Sequence, residues 1–403
     1  MSGSEVMAAD ERLRRLEAVT DAALSHLDAA DLLDELLERV RGLLGVDTVA
    51  VLLLDPHAQQ LVATAAKGLE EEVRGGFRLA VGRGFAGKVA ATREPVVLID
   101  VGPGDVVNPL LLEAGLRSLL GVPMLAGGEL VGVLHVGSRD LRAFTDDDVR
   151  LVQLVADRAA AASEIRAHRL EQTAALALQR SLMPSSLPRL PGLDLAARFV
   201  PGHEFGVGGD WYDVFVLPSG WVGLVVGDVS GHGLQAAVVM GRVRSALRAY
   251  ALISDDPATA LTMLDRKVRH FETASLATVL YAMVAPDRSC VMVSLAGHLR
   301  PVLAEPGRPT ALADVPIDPP VGIDRLARRT TVVPLAHGAV LAGYTDGLVE
   351  RRHRIIDEGI GELVAAIQPA GAAEHVCDEV MAAVATTTPV DDIALLVLRR
   401  AAI

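Results

Sequence analysis

Aromatic side chains are scarce, 3% of 403 residues, which removes the stacking platforms that single-stranded nucleic acids need. Basic charge is also short. Lysine and arginine number 38 against 51 acids, for a formal net charge of -13, the opposite of a nucleic-acid footprint. Two cysteines, Cys290 and Cys377, are too few for a disulfide framework or a thiolate metal site and suit a reducing cytosol as buried apolar residues. No apolar run reaches the ~18 to 20 residues of a membrane span without a charge or turn. The N-terminus, MSGSEVMAADERLRRLE, turns charged at once and shows no secretory signal. These absences predict a soluble cytoplasmic protein with no nucleic-acid and no membrane partner.

Hydrophobic residues make up 51% and charged residues 22%, a globular composition. The length exceeds one ordinary core, so two domains are expected. Apolar residues at helical spacing predict helices over 11–27 and 32–44, the second capped by Asp31. Strands are expected at Thr48 to Leu54 and Leu61 to Ala66. Gly82-Arg83-Gly84 opens a short helix, Phe85 to Ala91, before a strand at Pro95 to Ile99. Residues 108–116 read as a helix, and LRSLLGVPML leads into the hairpin GGELVGVLHVGS, turning at Gly127-Gly128.

This order, with GRGFAGKVA and the SLLGVPM–GGELVGVLHV pair, resembles a GAF domain over residues 12–165. The resemblance implies an antiparallel sheet with flanking helices around a small-ligand pocket, in a family whose members often dimerise. The glycine turn could cradle a phosphate, but it lacks the Walker and dinucleotide spacings, and it reads first as a turn that packs a helix on a sheet. His26, His57 and His135 are not spaced as a metal or haem motif. The ligand of this module is left unknown, and a purely structural or dimerising role stays open.

Residues 145–183 contain neither glycine nor proline. They predict one long helix capped at Thr145, with acids in its first turn and an apolar stripe from Leu151 to Leu182. A helix of this length joining two domains favours a parallel coiled-coil homodimer, with packing on its own domains as the alternative. Pro184 to Pro191 ends it, and a second domain is expected over 185–403.

The most distinctive stretch is Phe205 to Met240. It holds Asp210 in GGDWYD and Asp228 in GDVSGHG, separated by a Pro218-Ser219-Gly220 turn and an apolar strand, Trp221 to Val226. A carboxylate at a buried strand end beside glycine can approach a metal or phosphate unobstructed. Two further acids sit in the same setting: Asp346 of YTDG, and Asp391 of DDI before the final strand. Each alone is an ordinary turn or cap residue.

Together, the blocks LQRSLMPSSLP, VGGDWYDVF, GDVSGHGLQAAVVM, ATVLYAMVAPD, LAGHLRPVL, LAGYTDGLVERR and DDIALLVLR resemble the SpoIIE-type branch of the metal-dependent protein phosphatases (PPM, the protein phosphatase 2C fold), from about Gln179 onward. The overall class is then α+β: a GAF-like antiparallel sheet, a linker helix, and an α/β/β/α phosphatase sandwich.

The resemblance implies two Mn²⁺ or Mg²⁺ ions held by Asp210, Asp228, the Val229 backbone carbonyl, Asp346 and Asp391, acting through a metal-activated water. Converging carboxylates would repel strongly without cations, and all-oxygen ligation suits hard ions. Asp213, His232, His298 and Asp392 are candidates for the surrounding layer. Leu299-Arg300 stands where this branch commonly has prolines, which touches no metal ligand.

The implied function is hydrolysis of phosphoserine or phosphothreonine on a small anti-sigma-factor antagonist, set by the GAF module. The alternatives are a catalytically silent scaffold that only binds a partner, and a small-molecule sensor with slow phosphatase output.

Overall fold

The computed structural model describes residues 29–202, 208–272, 275–323, 327–351, 354–385 and 389–401, leaving aside the side chains of 29–31 and 168. The helix expected over 11–27, with His26, lies outside the described residues, as do positions 205–207 of the glycine-rich stretch. The chain divides into two compact units, Met1–Arg169 and Leu170–Ile403.

The first unit runs α1 (Ala29–Leu44), β1 (Thr48–Asp55), β2 (Gln60–Lys67), α2 (Glu70–Arg74), β3 (Arg78–Ala80), α3 (Gly84–Thr92), β4 (Val96–Ile99), α4 (Pro109–Glu113), β5 (Ser118–Ala126), β6 (Glu129–Ser138) and the start of α5 (Asp146–Leu182). All neighbours in its sheet are antiparallel, in the order β3-β2-β1-β6-β5-β4. On one face, Leu36, Leu37 and Val40 of α1 join Val152, Val155 and Ala159 of α5 against Val49, Val51, Val122 and Val136. On the other, Phe85 and Val89 of α3 lie over β5 and β6. Strand β5 is therefore covered on both faces and reads as a continuous apolar run instead of an alternating one. Helix α1 is already formed at Ala29, so Asp31 lies within it and is not its cap.

Helix α5 is unbroken over 37 residues, about 55 Å at ~1.5 Å per residue. Its start is a reciprocal capping box: the Asp148 amide donates to Thr145 Oγ1 (3.2 Å), and the Thr145 amide donates to Asp148 Oδ2 (3.0 Å). The apolar stripe expected to run its whole length divides in use. Leu151 to Ala162 is buried in the first unit's own core, whereas Ile165 is 53% and Leu170 61% exposed.

The second unit continues with β7 (Leu193–Val200), β8 (Trp211–Val216), β9 (Val222–Val229), α6 (Gly233–Ala251), α7 (Pro257–Phe271), β10 (Ala277–Val284), β11 (Cys290–Ala296), β12 (Val302–Ala304), β13 (Ala311–Leu312), β14 (Ile317–Asp318), β15 (Thr331–Pro334), β16 (Val340–Tyr344), α8 (Ile356–Ala366), α9 (Ala373–Ala383) and β17 (Ile393–Arg400). One sheet has the order β14-β11-β10-β9-β8, with β15 also on β11; the other is β13-β12-β16-β17-β7.

Alternation along the strands builds the layers. Leu224 and Val226 face inward, with Leu280 and Val293, to meet Leu341, Leu396 and Leu398 of the other sheet. Val225, Trp211 and Tyr281 face outward under Met240, Val243 and Leu264 of α6 and α7. Tyr344, Ala342 and Val397 face outward under Leu363, Val376 and Val380 of α8 and α9. The result is a helix–sheet–sheet–helix sandwich.

Candidate metal centre

The four acids sit at one end of two adjacent strand pairs, one pair in each stacked sheet. Asp210 precedes β8 and Asp228 lies near the end of β9, and the register pairs Trp211 with Gly227. Asp346 comes just after β16 and opens a short 3-10 turn; Asp391 and Asp392 precede β17, whose Leu395 pairs with Tyr344. Strand pairing joins Asp210 to Asp228 and Asp346 to the DDI segment, and stacking of the two sheets brings these pairs, more than a hundred positions apart, to one edge.

Two close backbone approaches hold this edge together. A Cβ on Gly209 would stand 2.0 Å from the Val229 carbonyl oxygen, so only glycine lets the segment entering Asp210 lie against that carbonyl. A Cβ on Gly347 would stand 2.1 Å from the Asp392 carbonyl oxygen, which fixes Asp346 beside the DDI segment.

The side chains differ in exposure. Asp210 and Asp392 are buried, Asp228 and Asp346 are half-buried, and Asp391 is exposed. Burial and then repulsion from Asp228 push the Asp210 carboxyl well above the usual carboxylate range, and Asp392 and Asp346 add to it. Asp228 is pushed up to about 7 by burial and by Asp346, against a hydrogen bond with Asp210. Asp346 is raised by burial, Asp391 and Glu350. No cation figures among the main influences on these three groups.

Buried Asp210 Oδ2 meets no donor at all among the described residues. An orphaned carboxylate oxygen amid further carboxylates is what a hard cation would satisfy, so the all-oxygen donor set is chemically suited to one. Among the described residues, however, no three His, Cys, Asp or Glu groups yet form a ready ligand cage. The acids are within electrostatic reach of one another but not drawn in around one point.

The other candidates separate. Asp213 turns away from the cluster. It takes two hydrogen bonds from Arg248 (2.6 and 2.7 Å) and one from Arg244 (3.1 Å), tying β8 to α6. His232 is exposed at the N-cap of α6, where its backbone bridges to Gly208.

His298 is buried between the sheets. Its Nε2 must donate to the Tyr344 carbonyl (3.1 Å), since a carbonyl only accepts, and its Nδ1 then accepts from the Thr278 hydroxyl (2.8 Å). Thr278 pairs with Asp228 in the register, so this imidazole links the strand beside one acid to the strand before another. Burial pulls His298 down to about 4, and it stays neutral.

Asp392, though its charge is felt by Asp210 and Asp228, is held by protein donors. Its Oδ1 accepts from the Gly202 amide (2.8 Å), and its Oδ2 from the Gly208 amide (3.1 Å) and from Gln179 Nε2 (2.7 Å). Sequence reasoning does not single out Gln179 as part of the site. The only hint is its place in the block LQRSLMPSSLP.

Residues 26–164 match the family model for the GAF domain, and residues 218–401 match that for Stage II sporulation protein E (SpoIIE). The order is GAF domain, then SpoIIE domain. The SpoIIE match contains Asp228, Asp346 and Asp391 and begins just after Asp210, whose assignment therefore leans on the strand pairing above.

The chain is 38% identical over 84 residues to protein IcfG of Synechocystis, covering 21% of this chain and 13% of that protein. It is 29% identical over 122 residues to the phosphoserine phosphatase RsbU of Bacillus subtilis, covering 30% and 36%. It thus spans little more than a third of these relatives at most. A solved structure of the RsbU and RsbW domains of Rv1364c from Mycobacterium tuberculosis is 28% identical, with a TM-score of 0.49, over 54% of this chain and 64% of that one. No described helix is long and apolar enough to cross a membrane.

Proposed function

We propose that the SpoIIE domain is a metal-dependent protein serine/threonine phosphatase whose output the GAF domain sets. The observation that carries this reading is the gathering of Asp210, Asp228 and Asp346 at one strand edge, buried or half-buried, each with its carboxyl raised and without a cationic partner among its main influences. Burying uncompensated charge is costly, and functional sites are where such shifts gather.

Asp210, Asp228, the Val229 carbonyl, Asp346 and Asp391 would hold two Mn²⁺ or Mg²⁺ ions. When bound, such ions supply Lewis acidity toward a phosphate and a water of lowered pKa. The chain's own part is to hold these oxygens at one edge, with His298 fixing the spacing of the sheets. Cys377 is ill suited to act as a nucleophile, being buried with its thiol pushed up to about 12.

RsbU is named as a phosphoserine phosphatase, which supports a phosphoserine or phosphothreonine substrate here. The substrate class we propose is a small phosphorylated anti-sigma-factor antagonist, met in the cytoplasm. Exposed Ile165 and Leu170 on α5 support pairing of two copies along that stretch of the helix. The GAF domain would take a small molecule.

Hydrolysis of a phosphoserine peptide by the full chain, with and without Mn²⁺, tests the reading. Metal-dependent turnover that Asp228→Ala abolishes in a folded protein is expected. Absence of turnover and of metal uptake in the wild type would favour the scaffold reading.

A further inference from the structure

The last turns of α5 belong to the second unit and pack one face against its α6. Ala175 is buried with Ala237 of α6, and a Cβ on Gly241 would stand 2.7 Å from Leu182 Cδ1. Gln179 lies between these two contacts at helical spacing, on the same face. It is fully buried, a rare position for an uncharged amide whose hydrogen bonds must then be found inside the protein. Its Nε2 reaches both Asp392 Oδ2 (2.7 Å) and the Gly208 carbonyl (3.2 Å). Its Oε1 meets no donor among the described residues.

We infer that Gln179 is a positioning residue of the metal centre: one amide group on α5 fixes Asp392 and, through it, the segments that carry Asp391 and Asp210. The connectivity is short. Asp392 adjoins Asp391, and its two oxygens grip the amides of Gly202 and Gly208, the second only two residues before Asp210. Gln179 adds the carbonyl of that same Gly208, so both polar groups of the residue are held. Without the Gln179 amide, Asp392 keeps its backbone donors but loses the bond that sets where its carboxylate points. The pieces bearing Asp210 and Asp391 are then free to drift apart. Groups behind metal ligands act by orienting them, and their loss weakens metal binding or activity.

This inference rests on the metal-phosphatase reading, and the test separates the two. The full chain is compared with Gln179→Met, which keeps volume but not hydrogen bonding, and with Gln179→Glu, which sets a second carboxylate against Asp392. For each, the Mn²⁺ dependence of phosphopeptide hydrolysis, calorimetric Mn²⁺ uptake and hydrogen exchange of the Gly202 and Gly208 amides are measured. The expected result for Gln179→Met is a rise of about 10- to 100-fold in the Mn²⁺ concentration for half-maximal activity, with the rate largely recovered at saturating Mn²⁺ and faster exchange at both glycines. Gln179→Glu should be worse at every Mn²⁺ concentration.

Unchanged Mn²⁺ dependence in a folded Gln179→Met protein overturns the inference. Faster exchange with unchanged Mn²⁺ dependence also overturns it, because the contact is then merely structural. A wild type with neither turnover nor Mn²⁺ uptake removes the phosphatase reading and the positioning role together, a case recognised because wild type and variant fail alike.

Discussion

Both units bury carboxyl groups, and they do so in opposite ways. In the GAF domain, Glu72 of α2 is 1% exposed and takes one hydrogen bond, from Asn108 Nδ2 (2.9 Å), while its Oε2 meets no partner among the described residues. Burial pushes it up to about 7, so a single proton resolves its position. In the second unit three aspartates are brought to one edge, where Asp228 and Asp346 raise the proton affinity of Asp210, and Asp346 raises that of Asp228. Protonating one would not neutralise such a group, whereas divalent cations would. A lone buried acid is a stability matter; a cluster of them is a site.

The sharpest way to break this contrast is to remove one charge from the cluster. Asp346→Asn or Asp228→Asn should cut Mn²⁺-dependent hydrolysis by a factor on the order of a thousand or more. The metal-free SpoIIE domain should melt no lower, and preferably higher, because a buried repulsion is gone. A large loss of stability in both variants would mean that protein partners already satisfy the acids.

The counterpart in the GAF domain is a pH effect. The folded pKa of Glu72, about 7, lies above its ordinary 4.5. Its contribution is therefore fully present below pH 4.5 and lost as pH rises through 7, by roughly 3 kcal/mol. Melting of the first unit between pH 4.5 and 8 should show this decline, and Glu72→Gln should flatten it. An equal slope in the variant would remove Glu72 from the account.

His298 offers a third kind of burial, with both ring nitrogens satisfied. His298→Ala should lower the stability of the second unit by about 2 to 3 kcal/mol, through two lost hydrogen bonds across the sandwich. Chemical denaturation measures that loss.

The smallest effect expected is on the coupling between the two regions. Inserting four residues between Ala167 and Leu170, past the part of α5 buried in the GAF core, rotates the downstream turns by roughly 40° relative to whole turns. Activity should change a few-fold, and an unchanged rate would argue against transmission along the helix. An insertion at Ala160 would be uninformative, since that residue is fully buried in the first unit's core.

How much of the fold and site is legible in the sequence depends on how local each signal is. Asp210, Asp228, Asp346 and Asp391 can be picked out because each sits beside glycine or a strand end, a pattern visible within a few residues. Strand limits track apolar runs closely, as with Val96–Ile99 and Ile393–Arg400. Gln179 cannot be found this way, because its partner Asp392 is 213 positions distant and a glutamine in a polar helix reads as surface. Glu72 lies in the run EEEVR, which looks like a solvated helix turn. The division of labour within DDI, Asp391 exposed and Asp392 turned inward to glycine amides, depends on tertiary contacts that no spacing encodes. Asp213 misleads for the same reason: its arginines arrive from a helix 31 and 35 positions away.

Calorimetric titration of Mn²⁺ into the full chain and into Asp210→Asn and Asp346→Asn tests the central claim most directly. The account predicts two-site uptake by the wild type, with at least one site lost in each variant. No uptake by the wild type, or uptake unchanged in both variants, would contradict it.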